Sequence, residues 1–217
     1  MYASLAALMA IGLVGAGIGS DVSGGIFDIF TNDDGADLSD ANKTVQKRID
    51  KANDKLKVNP RDQAAMIELV RGHYSLATSD TDPNDGSFGD DGKKELEKGS
   101  AAWKRYLATK PEKVDPALAS LMINTYSDLG LNQPENAVIA AELIAEERND
   151  SSAYIQLVQF ATQAGQERKA DLAAEKALEL APKGERDTVK TLLEQAKAAQ
   201  PPAGEGGTGQ APAPSGG

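Results

Sequence analysis

Chemistry needs groups that give, take or hold charge at defined spacing, and this chain carries few of them. The richest cluster is Asp80, Asp82, Asn84, Asp85, Asp90 and Asp91, a stretch in which no Lys or Arg falls. Asp80-x-Asp82-x-Asn84 has the alternation that lets a loop turn successive oxygens toward one Ca²⁺. The match then lapses. The sixth place, where the tight turn asks for Gly, is Asp85, with Gly86 one residue late, and the twelfth is Asp91 rather than the longer Glu. Pro83 also removes a backbone donor. The competing reading is a solvated loop whose carboxylates repel one another and hold it extended.

His73 is the only histidine, and there is no cysteine, which excludes disulfides, thiolate metal sites and Cys nucleophiles. Without a second His or a partnered Ser, no nucleophile–base pair assembles, and His73 is expected on a solvated helix surface. Glu146 and Glu147 are neighbours in sequence, hence splayed on a helix rather than sharing a site. No P-loop or GxGxxG follows a strand. The expectation is a protein that is no enzyme, with no cofactor and no small-molecule substrate. A net charge of −10 excludes the counterion-releasing grip on a nucleic-acid backbone and favours solubility instead.

The elements that must position these residues read as helices throughout. Aromatics are only 5% and Ala dominates the apolar set, a composition suited to close helix packing rather than sheets. In residues 151–184, Tyr154, Leu157 and Ala161 form a stripe, Gly165 ends it, and Ala170, Ala174, Ala177 and Leu178 form a second stripe before Pro182. One unit earlier, Ala119, Met122 and Tyr126 precede Leu129-Gly130, then Ala137, Ala141 and Ile144, with Asn149 in the terminating place. Earlier again, Ile67, Val70 and Tyr74 pair with Gly99, Trp103, Tyr106 and Leu107, ending at Pro111, across an insertion near TSDTDPNDGSFGDDG. Val45, Ile49, Ala52 and Leu56 mark a lone packing helix before Pro60; Val189, Leu192, Leu193 and Ala196 mark a charged capping helix.

This internal self-similarity resembles the tetratricopeptide repeat, a 34-residue helical hairpin. The resemblance implies an all-α, right-handed solenoid over residues 43–199, with repeats at about 64–113, 116–150 and 151–184 and a cap at 185–199. It also implies a concave groove lined by the first helix of each hairpin. Carried over by register, the groove presents Glu68, Gly72 and Ser75, then Ser120, Asn124, Ser127 and Asp128, then Ile155, Gln159, Thr162 and Gln163. No Lys or Arg falls on that set, which disfavours capture of chaperone C-terminal carboxylates, a known use of the family.

The ends differ in kind. Residues 1–20, MYASLAALMAIGLVGAGIGS, carry no charge and at ~1.5 Å per residue reach ~30 Å, the depth of a hydrocarbon core. They are expected to be an uncleaved single-span transmembrane anchor; a cleaved signal segment ending near Val14-Gly15-Ala16 and a buried helix are the alternatives. The acidic flank beyond, with Lys43 its first cation, favours a body outside the cytoplasm. Residues 21–42 are expected to be a linker, and 200–217, rich in Pro, Gly and Ala, a disordered tail. The resulting expectation is a membrane-tethered scaffold whose partner is another protein or a peptide, similar in layout to bacterial single-span tetratricopeptide proteins. A self-assembling envelope subunit and a Ca²⁺-responsive adaptor acting through residues 80–91 are the alternatives.

Overall fold

Secondary structure begins wherever a side chain can satisfy the orphan amides of a helix start, and three aspartates do so here. A computed structural model describes residues 38–198, and its helices are α1 (Leu38–Val58), α2 (Gln63–Thr78), α3 (Asp90–Ala108), α4 (Pro116–Tyr126), α5 (Pro134–Arg148), α6 (Ser151–Gln163), α7 (Glu167–Leu180) and α8 (Arg186–Ala198). Asp62 accepts from the Ala65 amide at 3.0 Å, Asp115 from Ala117 at 2.9 Å and Asp150 from Ala153 at 2.8 Å, capping α2, α4 and α6. Pro116 and Pro134 open α4 and α5, where a missing N–H costs nothing. α5 stops at Asn149, which takes the left-handed conformation at φ 48°; α6 stops at Gly165, φ 66°, with the Gln166 amide reaching back to the Ala161 carbonyl at 2.8 Å.

The architecture is all-α and repeat-like: no strand occurs among the described residues, only one isolated antiparallel bridge between Thr81 and Phe88. α2 pairs with α3, α4 with α5 and α6 with α7. The first pair is antiparallel, because Gln63 Nε2 donates to Thr109 Oγ1 at 2.9 Å at one end while the Gly92 amide donates to Asp80 Oδ2 at 2.8 Å at the other. Each pair touches the next: α2 and α3 meet α4, α5 lies along α6, and α6 and α7 carry α8. One continuous apolar cluster runs from Val45 to Ala196. Its filling changes along the chain. Trp103, Tyr106 and Tyr126 occupy the first half, whereas α5 and α7 bury mainly alanines, which lets backbones approach closely. Between the first two pairs Ser100 Oγ and the Tyr126 hydroxyl share a buried hydrogen bond of 2.8 Å, so these two buried polar groups satisfy each other.

α1 is more than an isolated packing helix. Its Val45, Ile49, Ala52 and Leu56 are buried, and Leu56-x₃-Pro60 repeats in Leu107-x₃-Pro111 and Leu178-x₃-Pro182, the ends of α3 and α7. It therefore ends as the second helix of a hairpin does. The apolar run 1–20, nearly all of the 21–42 segment and the 200–217 tail lie outside the described residues. No helix among the described residues is long and apolar enough to cross a membrane.

Candidate functional site

Asp caps fix where α2, α4 and α6 start, and so which residues each helix turns inward. Counting from Asp115 and Asp150, the buried residues of α4 fall at the third, fourth, seventh, eighth, tenth and eleventh places (Leu118, Ala119, Met122, Ile123, Thr125, Tyr126), and α6 follows with Ala153, Leu157, Val158 and Ala161. Counting from Asp62, α2 buries Ala65, Met66, Leu69, Val70 and Gly72, the same places. The sequence stripe Ile67, Val70, Tyr74 is therefore one residue late, and the equivalent trio is Met66, Leu69, His73. Ile67 and Tyr74 are only half-buried, as this shift requires.

The shift changes which residues of α2 share a helical position with the row expected on α4 and α6. Glu68 and Gly72 drop out, and Ile67, Arg71, Tyr74 and Ser75 come into line with Ser120, Asn124, Ser127 and Asp128 on α4 and with Ile155, Gln159, Thr162 and Gln163 on α6. Gly72 faces α1 instead: a Cβ there would lie 2.7 Å from Ile49 Cγ1 and 3.8 Å from Val45 Cγ1. The expectation that no cation lies on this face is corrected too, since Arg71 occupies it. Its guanidinium meets the Asp115 carboxylate at 2.9 Å, tying α2 to the cap of α4. Both partners are about 40% exposed, so the pair orients Arg71 more than it stabilises the fold.

Several face residues are already engaged. Burial pushes the Tyr74 phenol up from its ordinary range, against a smaller opposing pull from the Asn124 side chain. Tyr74 in turn meets Phe88 edge-on, ring centroids 6.3 Å apart. Ser120 and Ser127 donate back to the Pro116 and Asn124 carbonyls at 2.8 Å each. Asp128 accepts from the Leu129 amide at 3.0 Å. The Thr162 hydroxyl is buried with no hydrogen-bond partner, while Gln159 and Gln163 are half-buried.

The acidic insertion is folded rather than extended. Asp82 N–H donates to the Ser87 carbonyl and Gly86 N–H to the Asp82 carbonyl, closing a tight turn around Pro83–Asp85. Its carboxylates are consumed locally: Asp82 Oδ1 accepts from both the backbone and side-chain amides of Asn84, Asp85 from the Ser87 amide, and Asp80 from Gly92 in the first turn of α3. Gly89 precedes α3 and has no side chain to cap it, so Asp80 does that work from the end of α2. A Cβ at Gly89 would overlap the Asp80 carboxylate, which is why Gly stands there. The Phe88 amide then reaches the Leu129 carbonyl at 3.3 Å, laying the insertion on the α4–α5 turn. Among the described residues no group of three or more His, Asp or Glu side chains is placed to hold a metal ion.

His73 is not a solvated surface residue. Its side chain is 12% exposed and its Nδ1 lies 2.7 Å from Glu95 Oε2 on α3. Burial disfavours the Glu95 charge, but hydrogen bonds from Lys98 and His73 outweigh it and hold that carboxyl below its ordinary range. The sequence hint was the eleventh-place position in the corrected register, which faces the partner helix.

A cleft with a volume of about 700 Å³ lies between α5, α6 and α7. Tyr154, Leu157, Leu172 and Ala173 give it an apolar lining, and Glu142, Glu146, Glu167, Arg168 and Lys169 contribute charge, with Lys169 Nζ paired to Glu142 at 2.6 Å. No sequence pattern marks this cleft, because Tyr154 and Leu157 belong to an apolar stripe and Leu172 follows Arg168, Lys169 and Asp171. No protein-family model, curated protein or solved structure matches this chain.

Proposed function

We propose that this protein is a non-catalytic, membrane-tethered scaffold, a right-handed solenoid of tetratricopeptide-like hairpins that holds a protein or peptide partner outside the cytoplasm. The observation that carries the reading is the shared register of α2, α4 and α6: three Asp caps, three matching buried sets, and one aligned outward row of Arg71, Asn124 and Gln159 beside Tyr74, Ser127 and Thr162. Stacking of each hairpin on its neighbour supports the solenoid, and the Leu-x₃-Pro ending of α1 supports counting it as the second half of a further hairpin. The row is polar with two half-buried isoleucines, Ile67 and Ile155, a mixture suited to hydrogen-bonding a peptide backbone while seating an apolar side chain. The anchoring role rests on the uncharged run 1–20 and its acidic flank.

Photocrosslinkers placed at Gln159 or Gln163 of the full chain in its membrane should trap one specific partner, and an Arg71→Ala/Gln159→Ala/Gln163→Ala variant should lose at least about tenfold in affinity for it, on the order of 1.4 kcal/mol. Partner capture unchanged by the triple substitution would end the groove reading. A topology reporter fused after Ser39 should be active only outside the cytoplasm.

A further inference from the structure

We propose that the cleft between α5, α6 and α7 is the docking site for the chain's own Ala211-Pro212-Ala213-Pro214 segment, a use distinct from partner binding on the opposite row. Three observations converge. First, the cleft exposes apolar surface that nothing among the described residues covers: Leu172 is 58% exposed, beside a half-buried Tyr154 and the side chain of Leu157. Its volume of about 700 Å³ sits within the range of ligand-sized pockets.

Second, the chain leaves the fold within reach of it. Lys197, next to the last described residue of α8, is paired with Asp171 at 2.5 Å, and Asp171 precedes Leu172. Twelve residues, 199–210, separate Ala198 from Ala211, and at roughly 3.3 Å per extended residue they can reach about 40 Å, several times the width of one helix, about 10–12 Å with side chains.

Third, the chemistry fits. Residues 199–217 carry one charged side chain, Glu205, and an Ala-Pro repeat near their end. Ala-Pro repeats are the composition that polyproline II recognition uses, in which carbonyls free of internal hydrogen bonds accept from donors and prolines seat against an aromatic ring at low entropic cost. Tyr154 supplies the ring. Arg168, and Lys169 beyond its bond to Glu142, supply donors. An uncharged ligand matches a rim whose three carboxylates and two cations nearly balance.

A short tether gives an effective concentration of about a millimolar, so a site of ~100 μM intrinsic affinity would be about nine-tenths filled. Methyl NMR of the full chain and of a chain ending at Ala198 should then differ at Leu157 and Leu172. Amide exchange in 167–173 should be about tenfold slower in the full chain. Pro212→Ser/Pro214→Ser, which keeps the tail's length, should reproduce the truncation, and Leu172→Asp should do so without altering exchange in α2 and α3. Superimposable Leu157 and Leu172 signals in the full and shortened chains would overturn the proposal. Shifts that grow with protein concentration would overturn it as well, by placing another copy's tail in the cleft.

Discussion

Gly72 offers a test in which two ordinary effects oppose each other and the structure decides the sign. Replacing Gly by Ala inside a helix normally stabilises by about 1 kcal/mol, because Ala loses less backbone entropy. At Gly99 on α3 that gain should appear: the new Cβ would lie 3.5 Å from His73 Cβ and 3.7 Å from the Val70 carbonyl, ordinary contact. At Gly72 the Cβ would fall 2.7 Å from Ile49 Cγ1, inside any real Cβ contact. Ile49 is 2% exposed and branched at Cβ, one bond from the clashing Cγ1, so the clash cannot be relieved by swinging a flexible far end aside. Overpacking of this kind costs about 1–3 kcal/mol. Gly99→Ala should therefore raise the urea midpoint and Gly72→Ala should lower it, with a gap of about 1–3 kcal/mol between them, the overpacking cost itself. In an Ile49→Ala background, itself destabilised by about 2–5 kcal/mol, the clash is gone and Gly72→Ala should turn stabilising. Equal midpoints for Gly72→Ala and Gly99→Ala in the natural background would refute the seating of α1 on α2. It would also remove the reason for calling α1 part of the repeat.

Asp80→Ala should cost about 1 kcal/mol in the same unfolding assay, as loss of a helix cap does, and Asp80→Asn, which keeps the acceptor, should cost less. Calorimetric titration with Ca²⁺ should give no heat that depends on Asp80 or Asp82, each of which turns one carboxylate oxygen to amides of its own loop or of α3; a saturable heat abolished by Asp82→Ala would refute that assignment. Asp150→Ala should cost about 1 kcal/mol at neutral pH. Burial opposes the Asp150 charge, yet hydrogen bonds from Ser152 and the Ala153 amide, with Arg148 nearby, hold its carboxyl below the ordinary 3.8. A lowered folded-state value means the stabilisation is complete above about pH 3.8 and fades as pH falls through that value. The gap between the natural chain and Asp150→Ala, followed by thermal melting, should thus be constant from neutral pH to about 5 and close in stronger acid.

The all-α architecture was legible because its signals are local. Apolar stripes at helical spacing, Gly165, Asn149 and Pro182 act within a turn or two of themselves, and so survive reading without partners. The register of α2 was legible too, but in a different residue from the one the stripe suggested. Ile67, Val70 and Tyr74 are the bulky residues, and bulk drew the stripe to them; Asp62 marked the true start, and a one-residue shift turns a helix by ~100°. What the sequence could not show was the use of long-range acceptors. Asp80 belongs to α3 as its cap although twelve residues separate it from Gly92, and a run of carboxylates gives no sign of which amides will claim them. The pairing of His73 with Glu95 was hidden for the same reason, being a contact between helices rather than within one.

That same distinction decides how much of the polar row can serve a partner. A groove residue whose side chain is bound to its own helix offers a ligand only what remains of its hydrogen-bonding capacity, and Ser120, Ser127 and Asp128 are bound in that way. Arg71 is shared with Asp115. The residues left with most capacity, Gln159 and Gln163, sit on α6, and Thr162 beside them holds a buried hydroxyl without a partner. Binding energy on this face should therefore concentrate at the third hairpin, with the first two holding shape through interhelical bonds. The cleft behind α6 adds a consequence: its lining residues Tyr154 and Leu157 share that helix with Gln159 and Gln163, on other sides. Whatever fills the cleft bears on the helix that presents the most available groups of the opposite face, so the two surfaces of the third hairpin are coupled through a single packed element.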